Sequence, residues 1–276
     1  MIVDGRAIAE EMKAALTEKM SALVESEKPT LFIIAAGENA ATKSFVGVKK
    51  KFAAAVGISV EELFFNEKEA STAALIGAIE KIAARGAKGG IVVQLPLLVS
   101  VDTDAVLNAI PLRLDVDVLG EEAGRLFREG KPGLLPPVVG AIREILERAS
   151  VFLHGKKVVI LGRGRLVGAP AALWFPRFGA GVTVYSSKMP PRAEELRDAD
   201  IIVSGIGKPH FITPDMVKDG AILLDAGTSE AEGKMVGDAH PDTAAKCALF
   251  TPVPGGIGPV TVAVLFQNLV ALEGSF

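Results

Sequence analysis

Lys157-Val158-Val159-Ile160-Leu161-Gly162-Arg163-Gly164-Arg165-Leu166-Val167-Gly168 is the stretch that decides the fold. Residues 157–161 read as a short buried strand, the glycines punctuate a tight turn, and the run 169–178 is helical in composition. Strand, glycine turn and helix in that order form a phosphate site, because backbone N–H groups and the helix N-terminus face a pyrophosphate. The spacing is G-x-G-x-x-x-G, one residue longer than the usual dinucleotide fingerprint, and a tight turn without a ligand carries the same local signature. The next strand, 182–185, runs into Tyr185-Ser186-Ser187-Lys188. An NAD site usually ends this strand with an acid that binds the ribose 2′-hydroxyl. Here hydroxyls and a cation stand in its place; they would hold a 2′-phosphate that an acid would repel. With Arg163 on the same side, the cofactor reads as NADP. A solvated strand end is the bland alternative.

Further strands at 201–204 and 222–225 continue this series, and a helix over 139–147 leads into it. Before that helix, 130–137 is rich in Gly and Pro and marks a boundary. Upstream the pattern is βαβαβ: strands at 31–36, 58–64 and 90–94, helices at 41–56 and 71–84, and an opening helix along Ile8, Met12, Leu16 and Leu23 with Asp4 as its cap. The segment 251–259 is too rich in Pro and Gly for either regular form, and 260–272 has helical spacing. Such alternation predicts an α/β protein of two domains, each a parallel sheet covered by helices, with a cleft between them. The second is Rossmann-like and spans 137–259; the first comprises 1–136 plus the C-terminal helix 260–276.

Composition narrows the function. Of 276 residues, 49% are hydrophobic and 23% charged, which suits a folded chain. Thirty basic residues stand against 33 acidic ones without a long basic run, so nucleic acid is not an expected partner. A single cysteine, Cys247, excludes an intramolecular disulfide framework. His154, His210 and His240 are scattered without metal-ligand spacing, and no metal is expected. Charges arrive within Met1-Ile2-Val3-Asp4-Gly5-Arg6, unlike a signal peptide. The stretch 247–272 is uncharged, but prolines and glycines break its first half and Gln267 and Asn268 interrupt the rest, so no membrane span is expected. The chain reads as cytoplasmic.

In the helix at 41–56, Phe45, Val48, Phe52 and Val56 share a face at 100° per residue, and Lys49 falls on it. An inward ammonium is costly unless paired or lining a cavity; snorkelling at the edge of the stripe competes with that reading. A desolvated lysine is also a good proton carrier, because burial lowers its pKa. Gln94 follows a buried strand, and Asp115 and Asp117 lie near the same carboxyl edge, where ligands of open α/β sheets collect.

These motifs resemble one family nearly end to end: the bifunctional methylenetetrahydrofolate dehydrogenase/cyclohydrolases of FolD type. Residues 41–51 are similar to its segment built on Y-V-x-x-K-x-K, Val93-Gln94-Leu95-Pro96-Leu97 to its VQLPL, and Asp115-Val116-Asp117 to the start of its DVDG. Gly155-Lys156, Val158-Val159-Ile160 and Gly162-Arg163 resemble GK-x-x-VVIGRS, and Val167-Gly168-Ala169-Pro170 resembles VG-x-P. Thr251-Pro252-Val253-Pro254-Gly255-Gly256-Ile257-Gly258-Pro259 is nearly the whole of TPVPGGVGP. The resemblance implies oxidation of 5,10-methylenetetrahydrofolate by NADP⁺ and hydrolysis of the methenyl product to 10-formyltetrahydrofolate. It implies Lys49 as the catalytic lysine, Gln94 as its contact and Asp117 as the acid that grips the pterin ring. Phe45, Pro254, Gly255 and Gly256 join the folate site; Gly162, Arg163, Gly164, Val167, Gly168, Ser187, Lys188 and Thr228 join the nucleotide site. It also implies a homodimer through the nucleotide domain.

Several positions depart from the family pattern. Phe45 replaces a tyrosine whose hydroxyl bonds the lysine, which predicts a competent dehydrogenase with a weakened cyclohydrolase. Val118 replaces the glycine of DVDG, Leu135-Pro136-Pro137-Val138 replaces PCTP, and Gly164 replaces the serine of GRS. Asp225-Ala226-Gly227-Thr228-Ser229 replaces DVGIN, so Thr228 stands where an isoleucine meets the nicotinamide half. Two competing readings remain: another two-domain NADP oxidoreductase acting on a shikimate-like acid, and a catalytically silent folate- or NADP-binding homologue.

Overall fold

A computed structural model describes the chain except residues 38, 39, 87, 132, 190, 192, 232 and 274–276. Two compact units emerge: Met1–Ala9 with Val138–Thr261, and Glu10–Pro137 with Val262–Phe276. Each is α/β around a parallel sheet.

The chain opens with α1 (Gly5–Ser21), and the Asp4 carboxylate accepts from the N–H groups of Arg6 and Ala7 at 3.1 and 3.0 Å, the expected cap. Then β1 (Thr30–Ala36), α2 (Ala40–Val56), β2 (Ser59–Phe65), α3 (Thr72–Ala84) and β3 (Gly89–Val93) alternate into a sheet ordered β2-β1-β3. The central strand β1 is apolar on both faces because both are covered. Leu31, Ile33 and Ala35 pack with Val46, Ala53 and Val56 of α2, while Phe32 and Ile34 meet Leu75, Ile79 and Ile82 of α3. Two short helices missing from the sequence reading follow, α4 (Thr103–Asn108) and α5 (Glu121–Arg128). Between them residues 114–118 lie against β3. A Cβ at Gly90 would stand 2.1 Å from Val116 Cγ1, so the missing side chain is what admits this segment.

After α6 (Pro137–Arg148) the second series begins: β4 (Lys157–Leu161), α7 (Gly168–Trp174), β5 (Gly181–Tyr185), α8 (Ala193–Arg197), β6 (Ile201–Ser204), β7 (Ala221–Asp225), the small antiparallel pair β8 (Ser229–Ala231) and β9 (Lys234–Val236), β10 (Cys247–Phe250), and α9 (Ile257–Glu273). The helix expected over 169–178 stops at Trp174 and continues as a 3₁₀ turn, Phe175–Phe178; Pro176 has no N–H for an α-helical bond. The sheet order is β10-β7-β6-β4-β5, all parallel. From β4 the chain steps to β5 on one side, then crosses back to β6 on the other. That reversal opens the carboxyl edge at β4, where the glycine loop lies.

The sequence reading does not anticipate β10, nor that the first three residues pair with it and the first nine belong to its unit. Ile2 bridges to Phe250, and the Val3 N–H donates to the Phe250 carbonyl at 2.8 Å. Among the described residues, no helix is long and apolar enough to cross a membrane.

Candidate active site

The packed face of α2 is rotated from the expected one. Val48 is 47% exposed, and the buried positions are Thr42, Val46, Ala53 and Val56, with Phe45 and Phe52 half-buried at the margin. Small side chains let the helix lie close to β1 and β2, so the two aromatic rings fall to its edge. Lys49 sits on the shared border of the two stripes and is neither fully inward nor solvated. Its Nζ donates to Gln94 Oε1 at 2.7 Å.

Gln94 is delivered by β3. Its own N–H donates to the Ile34 carbonyl at 2.8 Å and its Nε2 to the Leu95 carbonyl at 2.8 Å, ahead of a cis Leu95–Pro96 bond. At 7% exposure it is a fixed acceptor, held at both ends of its amide. Desolvation holds the Lys49 ammonium below the usual lysine range, and Asp117 opposes that shift.

Asp115 and Asp117, two residues apart, have opposite uses. Asp115 is buried, and its carboxylate accepts from the N–H groups of Leu119 and Gly120 at 3.2 and 2.8 Å, closing the loop. It is structural. Asp117 keeps some solvent access. The surrounding protein still pushes its carboxyl up to about 6, chiefly by desolvation, with Lys49 pulling down and Asp115 pushing up. Val118 follows at φ 57°, left-handed backbone that costs a β-branched residue about 1–2 kcal/mol. The family's glycine is gone, yet the backbone conformation it suits is kept. Lys49, Gln94 and Asp117 therefore stand together, and Phe45 neighbours Lys49 one helical turn before it. As a phenyl ring it offers Nζ no acceptor oxygen.

The other unit carries the remaining candidates. Gly162 has φ 101°, and a Cβ at Gly168 would stand 2.0 Å from the Gly162 carbonyl oxygen, so the turn curls on itself at the start of α7. Gly164 is open on its Cβ side, and Val167 packs over Gly205. In register with Leu161, Tyr185 ends β5, and its carbonyl accepts from the Gly162 N–H at 2.9 Å. Beyond it Ser186 and Met189 exchange backbone hydrogen bonds at 3.0 Å, which puts Ser187 and Lys188 at the tip of a tight turn. Arg163, Ser187 and Lys188 are all exposed on neighbouring strand ends. A backbone cradle beside two hydroxyls and two cations fits a phosphorylated dinucleotide.

Sequence reasoning missed two buried acids here. Asp238 accepts from Ser204 Oγ and from the N–H groups of Ile206 and Lys208, at 2.6, 2.9 and 2.7 Å. Asp225 accepts from the N–H groups of Gly227 and Ala239 at 2.9 and 2.8 Å, and burial pushes it up to about 6. Together they pin the loops after β6 and β7, including exposed Thr228. Only the strand-end position of Asp225 hinted at this; Asp238 lies in a loop with no periodic signal. Pro254, Gly255 and Gly256 form the turn before α9 in this same unit, where Gly255, at φ 110°, accepts from the Gly5 N–H at 2.9 Å.

A nucleotide-type sheet in one unit and a lysine–amide–carboxylate group in the other have the build of a dinucleotide-dependent enzyme. Residues 3–117 match the family model "Tetrahydrofolate dehydrogenase/cyclohydrolase, catalytic domain", and residues 136–274 match its "NAD(P)-binding domain". The chain belongs to the tetrahydrofolate dehydrogenase/cyclohydrolase family, as its motifs led us to expect. It is 37% identical to the bifunctional protein FolD of Lactobacillus gasseri, over 98% of this chain and 96% of that one. Among solved structures it is similar to FolD of Trypanosoma brucei complexed with NADP cofactor and inhibitor, with TM-score 0.93 and 34% identity over 99% and 97% of the two chains. FolD of Campylobacter jejuni gives TM-score 0.93 and 30% identity over 99% and 98%.

Proposed function

We infer that the chain oxidises 5,10-methylenetetrahydrofolate to the 5,10-methenyl compound with NADP⁺, and hydrolyses that product to 10-formyltetrahydrofolate. The observation that carries this reading is the Lys49–Gln94 hydrogen bond beside Asp117, in a chain whose family is described by both activities. The ionised Asp117 carboxylate is a pure acceptor and suits the ring N–H and amino donors of a pterin. The Phe45 ring packs on the folate. Gln94 aims Lys49 Nζ; the lowered pKa makes its neutral amine accessible, and that amine takes a proton from the attacking water and, as the ammonium, returns one to the departing ring nitrogen. This reading gives folate to the three-stranded unit and nucleotide to the five-stranded one. It displaces the shikimate-like alternative.

Bound NADP⁺ supplies the hydride acceptor. Gly162, Gly164, Val167 and Gly168 shape the turn that holds its phosphates, Arg163, Ser187 and Lys188 hold the 2′-phosphate, and Thr228 lies towards the nicotinamide half. With methylenetetrahydrofolate as substrate, we expect reduced cofactor and methenyl product to appear with NADP⁺ in preference to NAD⁺. Arg163→Ala should lower kcat/KM for NADP⁺ by about tenfold, the lower end of ~1.5–3 kcal/mol for a charge-assisted contact because Arg163 is exposed. Equal use of NAD⁺, untouched by Arg163→Ala, would overturn the 2′-phosphate assignment; no reduction of either cofactor would leave the silent homologue.

A homodimer fits the same unit. β5 is the outer strand of its sheet, and Leu173 and Phe178 beside it are 40% and 47% exposed. An edge of this kind is commonly covered. Sedimentation at twice the chain mass of 28.8 kDa is expected, and a monomer would refute it. We place the enzyme in the cytoplasm, in keeping with its lack of cysteines to pair.

A further inference from the structure

Asn268 is 7% exposed in the middle of α9, and its Nδ2 donates twice, to the carbonyls of Val116 and Leu135, at 2.9 Å each. The first of these bonds falls on the peptide joining Val116 to Asp117. That peptide is planar, so fixing its oxygen fixes the Asp117 N–H and the line to the Asp117 Cα. On the other side, Val118 holds left-handed backbone at φ 57°, and the Asp115 carboxylate gathers the N–H groups of Leu119 and Gly120. Asp117 is thus set from both directions by groups that need not meet the substrate themselves.

We propose that Asn268 is a positioning residue: through the Val116 carbonyl it sets where the Asp117 carboxylate points. This rests on the reading of Asp117 as the folate-binding acid. A buried asparagine that merely satisfies two carbonyls would make the same bonds. The two roles differ in coupling: a structural loss adds to the loss of Asp117, whereas a positioning loss has nothing further to remove once Asp117 cannot act.

The test is a double-mutant cycle on the full-length enzyme, read as KM and kcat for methylenetetrahydrofolate and KM for NADP⁺. Asn268→Leu keeps the branched outline of the side chain and removes both donors. It should raise the folate KM about tenfold, as small misplacements of a binding group do, and leave the NADP⁺ KM within about twofold. On an Asp117→Asn background the same change should cost no more than about twofold. Asn268→Ser, which keeps one donor, should fall between wild type and Asn268→Leu. Fully additive costs, or equal rises in both KM values, overturn the proposal. If Asn268→Leu does not fold, Asn268→Ser is read in the same cycle; if neither folds, Asn268 is a folding determinant and the proposal fails. An unchanged folate KM in Asp117→Asn alone overturns instead the reading of Asp117.

Discussion

Lys49→Met is expected to abolish hydrolysis of methenyltetrahydrofolate, a loss of about 10²–10⁴-fold, the usual contribution of a positioned proton carrier. The methylene stem survives, so folate binding should change little. On that reading the lowered pKa of Lys49 makes its neutral amine accessible as the base for water, and the hydrogen bond to Gln94 holds it in place. Hydride transfer asks mainly that the methylene carbon and nicotinamide be held face to face, which is a matter of positioning. It should survive better than hydrolysis. Phe45 sharpens the comparison. One turn before Lys49, a tyrosine hydroxyl would give Nζ a second partner, so Phe45→Tyr should raise hydrolysis more than hydride transfer. If the wild type already hydrolyses the methenyl compound as fast as it forms, and Phe45→Tyr changes neither rate, the missing hydroxyl does not matter. Separate assays of reduced cofactor and methenyl absorbance read both steps.

The same contrast between local and distant causes governs what the sequence discloses about this fold. β1 and β4 are legible because a strand buried on both faces must be apolar throughout, and Gly162 and Gly168 mark the turn after β4 by chemistry that no other residue shares. α5 is not legible: Glu121, Glu122, Arg125 and Arg128 dominate it, and Ala123 and Phe127 alone are buried, too few for a stripe. β10 becomes a strand by pairing with β7, and Ile2 and Val3 join Phe250 across some 250 residues, which no local window registers. Among the candidate residues, Lys49 is legible from its place on a helix face, and Gln94, Asp115 and Asp117 from their place at a sheet edge; the family resemblance alone singles out Asp117. That Asp115 turns inward while Asp117 does not depends on the N–H groups of Leu119 and Gly120, visible only once the loop closes. Asn268 read only as an interruption of an apolar stretch, although a polar residue amid the apolar faces of a buried helix is a signal in itself.

Asp117→Asn should lower kcat/KM for methylenetetrahydrofolate by about a hundredfold, the ~3 kcal/mol upper value for a charged hydrogen bond, since the amide must turn one oxygen to donors that a carboxylate meets with two. The pH profile adds a sharper reading. The Asp117 carboxyl is pushed up to about 6 in the free protein, so it is ionised above that pH and protonated below it. Only the ionised form is a pure acceptor. kcat/KM for folate should therefore hold steady above pH 6 and fall about tenfold per unit below it, because this parameter reports the free enzyme. Asp117→Asn should have no such acid limb. In Lys49→Met the limb should move to higher pH, because Lys49 is what pulls the carboxyl down. Asp225 also lies at about 6, but its carboxylate holds the loop after β7, so its protonation should show in the KM for NADP⁺ rather than for folate. An acid limb in folate kcat/KM that persists in Asp117→Asn would assign it to another group and remove Asp117 from the pterin site. A limb that stays put in Lys49→Met would mean that the two charges do not act on each other.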